Sequence, residues 1–491
     1  MKKNKFHILI LMFLVSLFGC DDFLDKAPED TLSPTVYYNN VTELKTGLAG
    51  CYKVLQSIYA HDGMMQFIEM ASDDAKDRQM TDRYHIFKKT NAQSAASIWT
   101  ENYLLIYRCN TLLEVLTTFG ANNDDDAEEV NAMIGECYFL RALAYMNLVR
   151  TYGPVPKVTA KFGSPSEAFG IGRASVAEIY NEVIIPDFEN AFDMCFKKGA
   201  TQLNGEEARA TKGSALMGLA KAQMEMNDYG AAESTLKKLI VDKAAGTYAL
   251  MPSLTDVFSD TKKFNVESIF EVNYNVAAGQ PSWFFRMMTN DIAYTIGTTY
   301  LGGSYMVSHD LLQEFTEYGD FERLNLTVDS GYVAGATPEY QAFPIKMAPD
   351  RAGMVAQKNV GTDYNFMVYR YADALLMYAE CLMNNNKKDE AIGYVSDVRE
   401  RSNMPRLAAD FDLDIYAILH ERRMELAFEG HRFFDLKRTG KAIEIISEAL
   451  MTVTGEDYAV QNEPIEEYQL LFPIPVSEIE KDQTLAQNSG Y

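Results

Sequence analysis

The sequence predicts an all-α fold of paired helices, interrupted by one irregular, loop-rich insert. Three observations predict it. Apolar residues recur at helical spacing through most of the chain. A pattern of small residues flanking a helix–helix turn occurs twice. Residues 248–361 lose that periodicity and gain glycine, proline, threonine and aromatics. With 491 residues, 47% hydrophobic and 23% charged, the chain can bury a large core, and wholesale disorder is excluded.

The chain begins MKKNKFHILILMFLVSLFGC. Lys2, Lys3 and Lys5 precede the apolar run Ile8–Phe18, which is too short to span a bilayer and suits the core of a secretory leader. Leu17-Phe18-Gly19-Cys20 resembles a lipobox. Residues 1–19 are therefore expected to be a signal peptide, and Cys20 the lipid attachment residue through which the chain meets a membrane. Several acyl chains give stable anchoring where one does not. Residues 20–36 are polar with two prolines and read as a tether.

A helix is expected over Tyr37–Ser57, with Leu44, Leu48, Cys51 and Leu55 inward. His61–Ser97 then reads as a long loop bearing Asp73, Asp74, Tyr84 and Phe87, and loops of that length tend to be functional. Trp99–Thr118 is helical, with Trp99 in the core. Asn122–Asp126 lacks the glycine and glutamate that a calcium loop needs, and reads as a turn between helices. Val130–Tyr152 is the cleanest helix and stops at Gly153-Pro154. Val176–Phe196 is helical, and Ala208–Ile240 holds two helices about Asn227-Asp228. Within the insert a strand is expected at Ser268–Val272 and a short helix at Ser308–Glu317. Tyr369–Gly440 returns to helical stripes, with a turn at Asn384–Asn386.

The two turns mark a repeat. Ala220 precedes Ala232 by twelve residues, Ala379 precedes Ala391 by the same twelve, and NDYGAAE parallels NKKDEAI. The units lie 159 residues apart and resemble tetratricopeptide-like helix pairs dispersed among long insertions. About four such pairs are expected.

Leu419–Gly440 is dense in both charge signs. Glu429–Arg432 and Arg432–Asp435 are spaced to meet on one helix face, and arginine forks beside aromatics lock helices together. The alternative is catalytic, with His431 as a base partnered by Asp435.

A net charge of −24 excludes general attraction to nucleic acid. The six cysteines form no CxxC, and no two of the six histidines sit four apart on one helix. Nucleophile-elbow, zincin, phosphate-loop and dinucleotide motifs are absent. No cofactor or metal and no enzymatic activity are expected, although carboxylate pairs for glycosidic cleavage stay open. The aromatics of the insert, among them Tyr274, Trp283, Tyr294, Tyr300 and Tyr305, lie on glycine-rich loops outside any helical stripe and make a candidate ligand surface.

Five ordered segments carry a resemblance: CDDFLDKAPED after the leader, RALAYMNLVRTYGPVP, AKAQMEMNDYGAAE, the Tyr369–Gly440 stretch, and FPIPVSEI with QNSGY. Together they resemble the SusD/RagB family of surface-exposed nutrient-binding lipoproteins of Gram-negative bacteria. The resemblance implies a tetratricopeptide-like scaffold with an irregular ligand-binding face. One globular unit would span 37–491, with the scaffold at 37–247 and 362–440, the insert at 248–361 and an extension at 441–491. It implies a place on the outer membrane beside a SusC-like TonB-dependent transporter. The implied ligand is an oligosaccharide, or in RagB-like branches a peptide or glycoprotein, bound without hydrolysis. The stacking arc of starch-binding members corresponds by order to about Tyr84–Phe87 and Tyr294–Tyr305. This chain has no tryptophan in either region, which leaves the glycan class open. Tyr84, Trp283, Tyr294, Tyr300 and Tyr305 are the expected stacking residues, and Asp74 the expected partner for hydroxyls.

Overall fold

A computed structural model describes residues 38–60, 63–77, 95–284, 305–329, 342–347, 360–452 and 464–491. Its scaffold is a run of packed helices: α1 (Val41–Ile58), α2 (Ala96–Leu116), α3 (Asp124–Tyr152), α4 (Ile185–Met194), α5 (Lys212–Glu225) and α6 (Tyr229–Ile240). The insert contributes α7 (His309–Tyr318). Beyond it come α8 (Tyr371–Asn384), α9 (Lys388–Arg401), α10 (Ile415–Leu426), α11 (Arg432–Arg438) and α12 (Ala442–Thr452). Each of α1 to α5 packs on the next, α6 packs directly on α8, and α8 on α9 and α10. Four pairs result: α1/α2, α3/α4, α5/α6 and α8/α9. No helix among the described residues is long and apolar enough to cross a membrane.

Local chemistry explains the boundaries. Asn123 caps α3 by accepting from Asp126 N at 2.9 Å, and Asp124, Asp125 and Asp126 place negative charge at the positive end of the helix dipole. The predicted turn at Asn122–Asp126 is thus a cap followed by the first helical turn. Gly153 ends α3 at φ 74°. Before α4, Val176–Ile179 is helical and Tyr180–Ile184 forms a π turn, so the predicted helix continues through one wider turn.

The repeat seen in sequence is a repeat in space. Asn227 and Asn386 occupy the same left-handed conformation, φ 58° and 61°, which asparagine tolerates better than other side chains. Asp228 N donates to Gln223 O and Lys387 N donates to Leu382 O, both at 2.8 Å. The two units touch, because Asn385 Nδ2 donates to Tyr229 O at 3.1 Å and to Glu233 Oε2 at 2.8 Å. The intervening insert therefore loops out between adjacent repeats without separating them. Ala220, Ala232, Ala379 and Ala391 are all fully buried at the crossings.

Among the described residues, three short antiparallel ribbons complete the fold. They pair β1 (Ala75–Asp77) with β3 (Tyr305–Val307), β2 (Ser268–Val272) with β6 (Phe366–Arg370), and β4 (Val328–Asp329) with β5 (Phe343–Pro344). Strand β6 corrects one expectation. Helicity was expected from Tyr369, but residues up to Arg370 pair with β2, and α8 begins at Tyr371. The long loop after α1 also holds a helical turn, Met64–Glu69, besides β1. Trp99 is buried against Tyr103 and Tyr152, as its place on α2 predicted. Cys51, Cys109, Cys137, Cys195 and Cys381 are buried free thiols.

The C-terminal tail docks. Phe472 N donates to Thr151 O at 2.8 Å, and Asn488 Nδ2 donates to Tyr152 O at 3.0 Å and Phe472 O at 2.7 Å. The last carbonyls of α3 have no partners inside the helix, and the tail supplies them.

Candidate functional site

The charges of α10 and α11 form a buried ionic framework. Arg370, at the end of β6, is fully buried. Its guanidinium donates to both oxygens of Glu429 at 2.6 and 2.8 Å, to Glu425 Oε1 at 2.6 Å and to Glu267 Oε1 at 2.9 Å. Arg323 donates to Asp320 and Glu421, both at 2.6 Å. Burial works against ionising Glu425, but Arg401, Arg370 and Arg323 outweigh it and hold its carboxyl well below the usual range. Ions so buried persist because the Arg370 and Arg323 forks are matched by carboxylates and, for Arg370, by the Glu425 carbonyl.

This framework is the helix lock the sequence predicted, with different partners. The expected pairs Glu429–Arg432 and Arg432–Asp435 do not form. Phe428 and Gly430 both take positive φ, 64° and 80°, and turn the chain between α10 and α11, so Glu429 faces Arg370. Asp435 receives Arg422 at 2.8 Å and Arg438 at 2.8 Å. His431 Nε2 lies 3.7 Å from Asp373, on a different helix from Asp435. Burial and the nearby Lys221 push its pKa down to about 4, so the imidazole is neutral. A His431–Asp435 couple is therefore not assembled.

Arg432 reaches across the fold. Its Nε and Nη2 each donate to Asp73 at 2.8 Å, a bidentate fork. Arg423 donates to Asp74 Oδ1 at 2.8 Å, Asp73 O at 2.9 Å, Asp310 at 2.7 Å and also to Glu314. These two arginines clamp the start of β1. Ser308 closes the other side, its N donating to Asp74 O at 2.8 Å and its Oγ to Asp73 O at 2.6 Å. The clamp thus holds both strands of the β1–β3 ribbon.

That ribbon is the candidate site's base. Asp77 pairs with Tyr305, so the chain leaves toward 78–94 and returns from 285–304 at neighbouring residues. The two stretches picked out by their aromatics therefore share one root, a juxtaposition that two residues 228 positions apart (77 and 305) would not by themselves announce. At the far end of the second stretch, Ser282 and Thr362 exchange backbone hydrogen bonds of 2.8 and 2.9 Å. Phe284 is buried against Tyr274 and Phe366, and Trp283 beside it is half-buried.

The predicted site residues divide accordingly. Tyr84, Tyr294, Tyr300 and Cys20 lie outside the described residues, and Tyr305 is described in its backbone, as a residue of β3. Trp283 borders the candidate face. Asp74 differs from expectation: it is 0% exposed and held by Arg423, so it serves the clamp and presents no oxygen to solvent. Burial, with Asp73 adding to it, pushes its pKa up to about 6 despite Arg423. The positioning residues Arg423 and Arg432 were legible as framework arginines, but their partners were not. Among the described residues no cluster of His, Cys, Asp or Glu is arranged to hold a metal ion.

Comparison with known proteins agrees along the chain. Residues 335–491 match the family described as SusD family, and residues 22–222 match that described as starch-binding, associating with the outer membrane. SusD-like protein P38 of Formosa agariphila is 26% identical over 503 aligned residues, covering 91% of this chain and 94% of that protein. Among solved structures, a laminarin-binding SusD-like protein superposes with TM-score 0.75 at 26% identity, over 92% of this chain and all of the other. Surface glycan-binding protein A from Bacteroides uniformis shares the fold, with TM-score 0.73 at 23% identity, over 91% and 99% of the two chains. With the paired-helix scaffold and these matches at both ends of the sequence in agreement, the chain belongs to the SusD/RagB family.

Proposed function

We propose that this protein is a surface-exposed outer-membrane lipoprotein, anchored through Cys20, that binds oligosaccharides without hydrolysing them. It delivers them to a SusC-like TonB-dependent transporter. The observation that carries the glycan reading is the β1–β3 pairing, which roots two aromatic-bearing stretches side by side on a clamped base. Sugar rings present C–H faces that stack on aromatic rings, and a rigid base lowers the ordering cost of binding. The laminarin-binding relative and the starch-binding family match support a glycan as the ligand class. The lipobox-like Leu17–Cys20 supports the anchor.

The test is calorimetry on the soluble form, residues 21–491, against plant, host and microbial glycans alongside peptides. Saturable binding to one glycan class, weakened by Trp283→Ala and Tyr300→Ala, is the expected result. Binding to peptides alone, or glycan binding indifferent to both substitutions, would overturn the reading of this face. Delivery is tested separately, by co-purifying the anchored protein with a TonB-dependent barrel from outer membranes.

A further inference from the structure

We propose a second oligosaccharide site, selective for neutral over anionic glycans, in the cleft bounded by α7, α9, α10 and α12. It rests on the glycan-binding reading above and uses none of the same aromatic residues. The cleft holds about 760 Å³, within the range of small-molecule sites. Three rings on its walls are unusually open for their size: Tyr318 is 54% exposed, Tyr416 42% and Phe411 39%. Exposed aromatics gathered around a concavity mark a recognition surface more than a core.

Two of these rings are held in place from behind. Tyr318 lies against His420, with centroids 4.0 Å apart and planes 34° from parallel. His420 Nδ1 is hydrogen-bonded to Glu314, which also accepts from the buried Arg423. The Tyr318 platform is therefore braced by the framework itself. Tyr416 has Lys441 over its ring at 4.3 Å from the centroid, and its hydroxyl lies 2.9 and 3.1 Å from the two oxygens of Glu444. Rings fixed in this way lose little entropy when a sugar stacks on them.

The charge of the lining gives the selectivity. Among the described lining residues, carboxylates outnumber arginines five to three. All three arginines are already committed: Arg423 and Arg432 to the clamp, and Arg399 to Glu421 at 2.8 Å and Pro405 O at 2.8 Å. Asp310, Glu314 and Glu421 are spent on buried arginines, which leaves Glu317 and Glu448 as the rim acceptors for sugar hydroxyls, and beside these two a sulfate or uronate would meet like charge. The overall net charge of −24 adds to that repulsion.

The experiment is titration calorimetry of the 21–491 form with hexasaccharides cut from laminarin and from starch, and with chemically sulfated laminarin. The wild type is expected to show two sites for a neutral hexasaccharide. Tyr318→Ala with Tyr416→Ala should weaken one by about tenfold or more and leave the other, while Trp283→Ala does the reverse. Tyr416→Phe, which keeps the ring, should retain both. A single site indifferent to the Tyr318 and Tyr416 substitutions overturns this inference and leaves the glycan reading standing; no binding of either hexasaccharide overturns this inference as well. Equal or tighter binding of sulfated laminarin at the cleft, or occupation by oligolysine with no sugar competing, also overturns it.

Discussion

Replacing Arg423 by Met should loosen the β1–β3 ribbon selectively. The guanidinium, 3% exposed, holds Asp74, Asp310, Glu314 and the carbonyl of Asp73. Asp310 is 39% exposed and can return to water, and Glu314 keeps His420. Asp74 has neither escape: it is 0% exposed, and its Oδ2 already lacks a hydrogen-bond partner among the described residues. Breaking a buried ion pair by removing one member costs about 3–5 kcal/mol. Here the lower end applies, because the Asp74 carboxyl, already pushed up to about 6, can protonate in place of remaining charged. About 3 kcal/mol corresponds to roughly a hundredfold rise in local opening. Hydrogen exchange followed by mass spectrometry reads this directly, with peptides over 73–77 and 305–308 compared with α8. Faster exchange confined to the ribbon, partly reversed by adding Asp74→Asn, is expected. Unchanged exchange there, or an equal rise in α8, would refute the clamp. Arg423→Lys should not restore protection, since an ammonium cannot fork to several carboxylates at fixed angles.

Other expectations follow from single residues. His431 is held near 4 against a free value of 6.5, so the unfolded chain takes up a proton there that the folded chain refuses. Its contribution is present above pH 6.5 and is lost as pH falls through about 4; His431→Gln should therefore flatten the melting-temperature curve across that window, and a curve parallel to wild type would sink the assignment. Asp74 has the opposite sign: with its pKa raised, its stabilising contribution is complete below 3.8 and lost as pH rises through about 6, so melting of Asp74→Asn should gain on wild type between pH 4 and 7. A Cβ at Gly218 would lie 2.4 Å from the Phe188 ring where α5 crosses α4; Gly218→Ala should cost about 1–3 kcal/mol in denaturant unfolding. Asn227→Gly and Asn386→Gly should each stabilise slightly or leave stability unchanged, whereas alanine at either left-handed position should cost about 1 kcal/mol, read by thermal melting.

Much of the scaffold was determined by the sequence itself. Helical stripes placed α1, α2, α4 to α6, α8 and α9 to within a few residues, while α3 starts six residues before Val130 and the Leu419–Gly440 stretch divides into α10 and α11; the twelve-residue spacing across two asparagine turns identified repeats that prove to be neighbours. These features are local, because a helix is specified by residues three and four apart and a left-handed turn by one residue that tolerates it. The candidate face was legible in part. Aromatics off any helical stripe pointed to the insert and the long loop, but only the pairing of Asp77 with Tyr305 joined the two. Tertiary structure alone decided the partners of the buried charges. Arg423 and Asp74 stand 349 residues apart, and nothing in their neighbours separates an aspartate that offers oxygens to a ligand from one that anchors an arginine. Periodicity allowed Arg432 to pair three residues away on its own helix. The turn at Phe428–Gly430 and the depth of Asp73 in the core gave it a bidentate partner instead, because a buried guanidinium is stable only where its whole fork is satisfied.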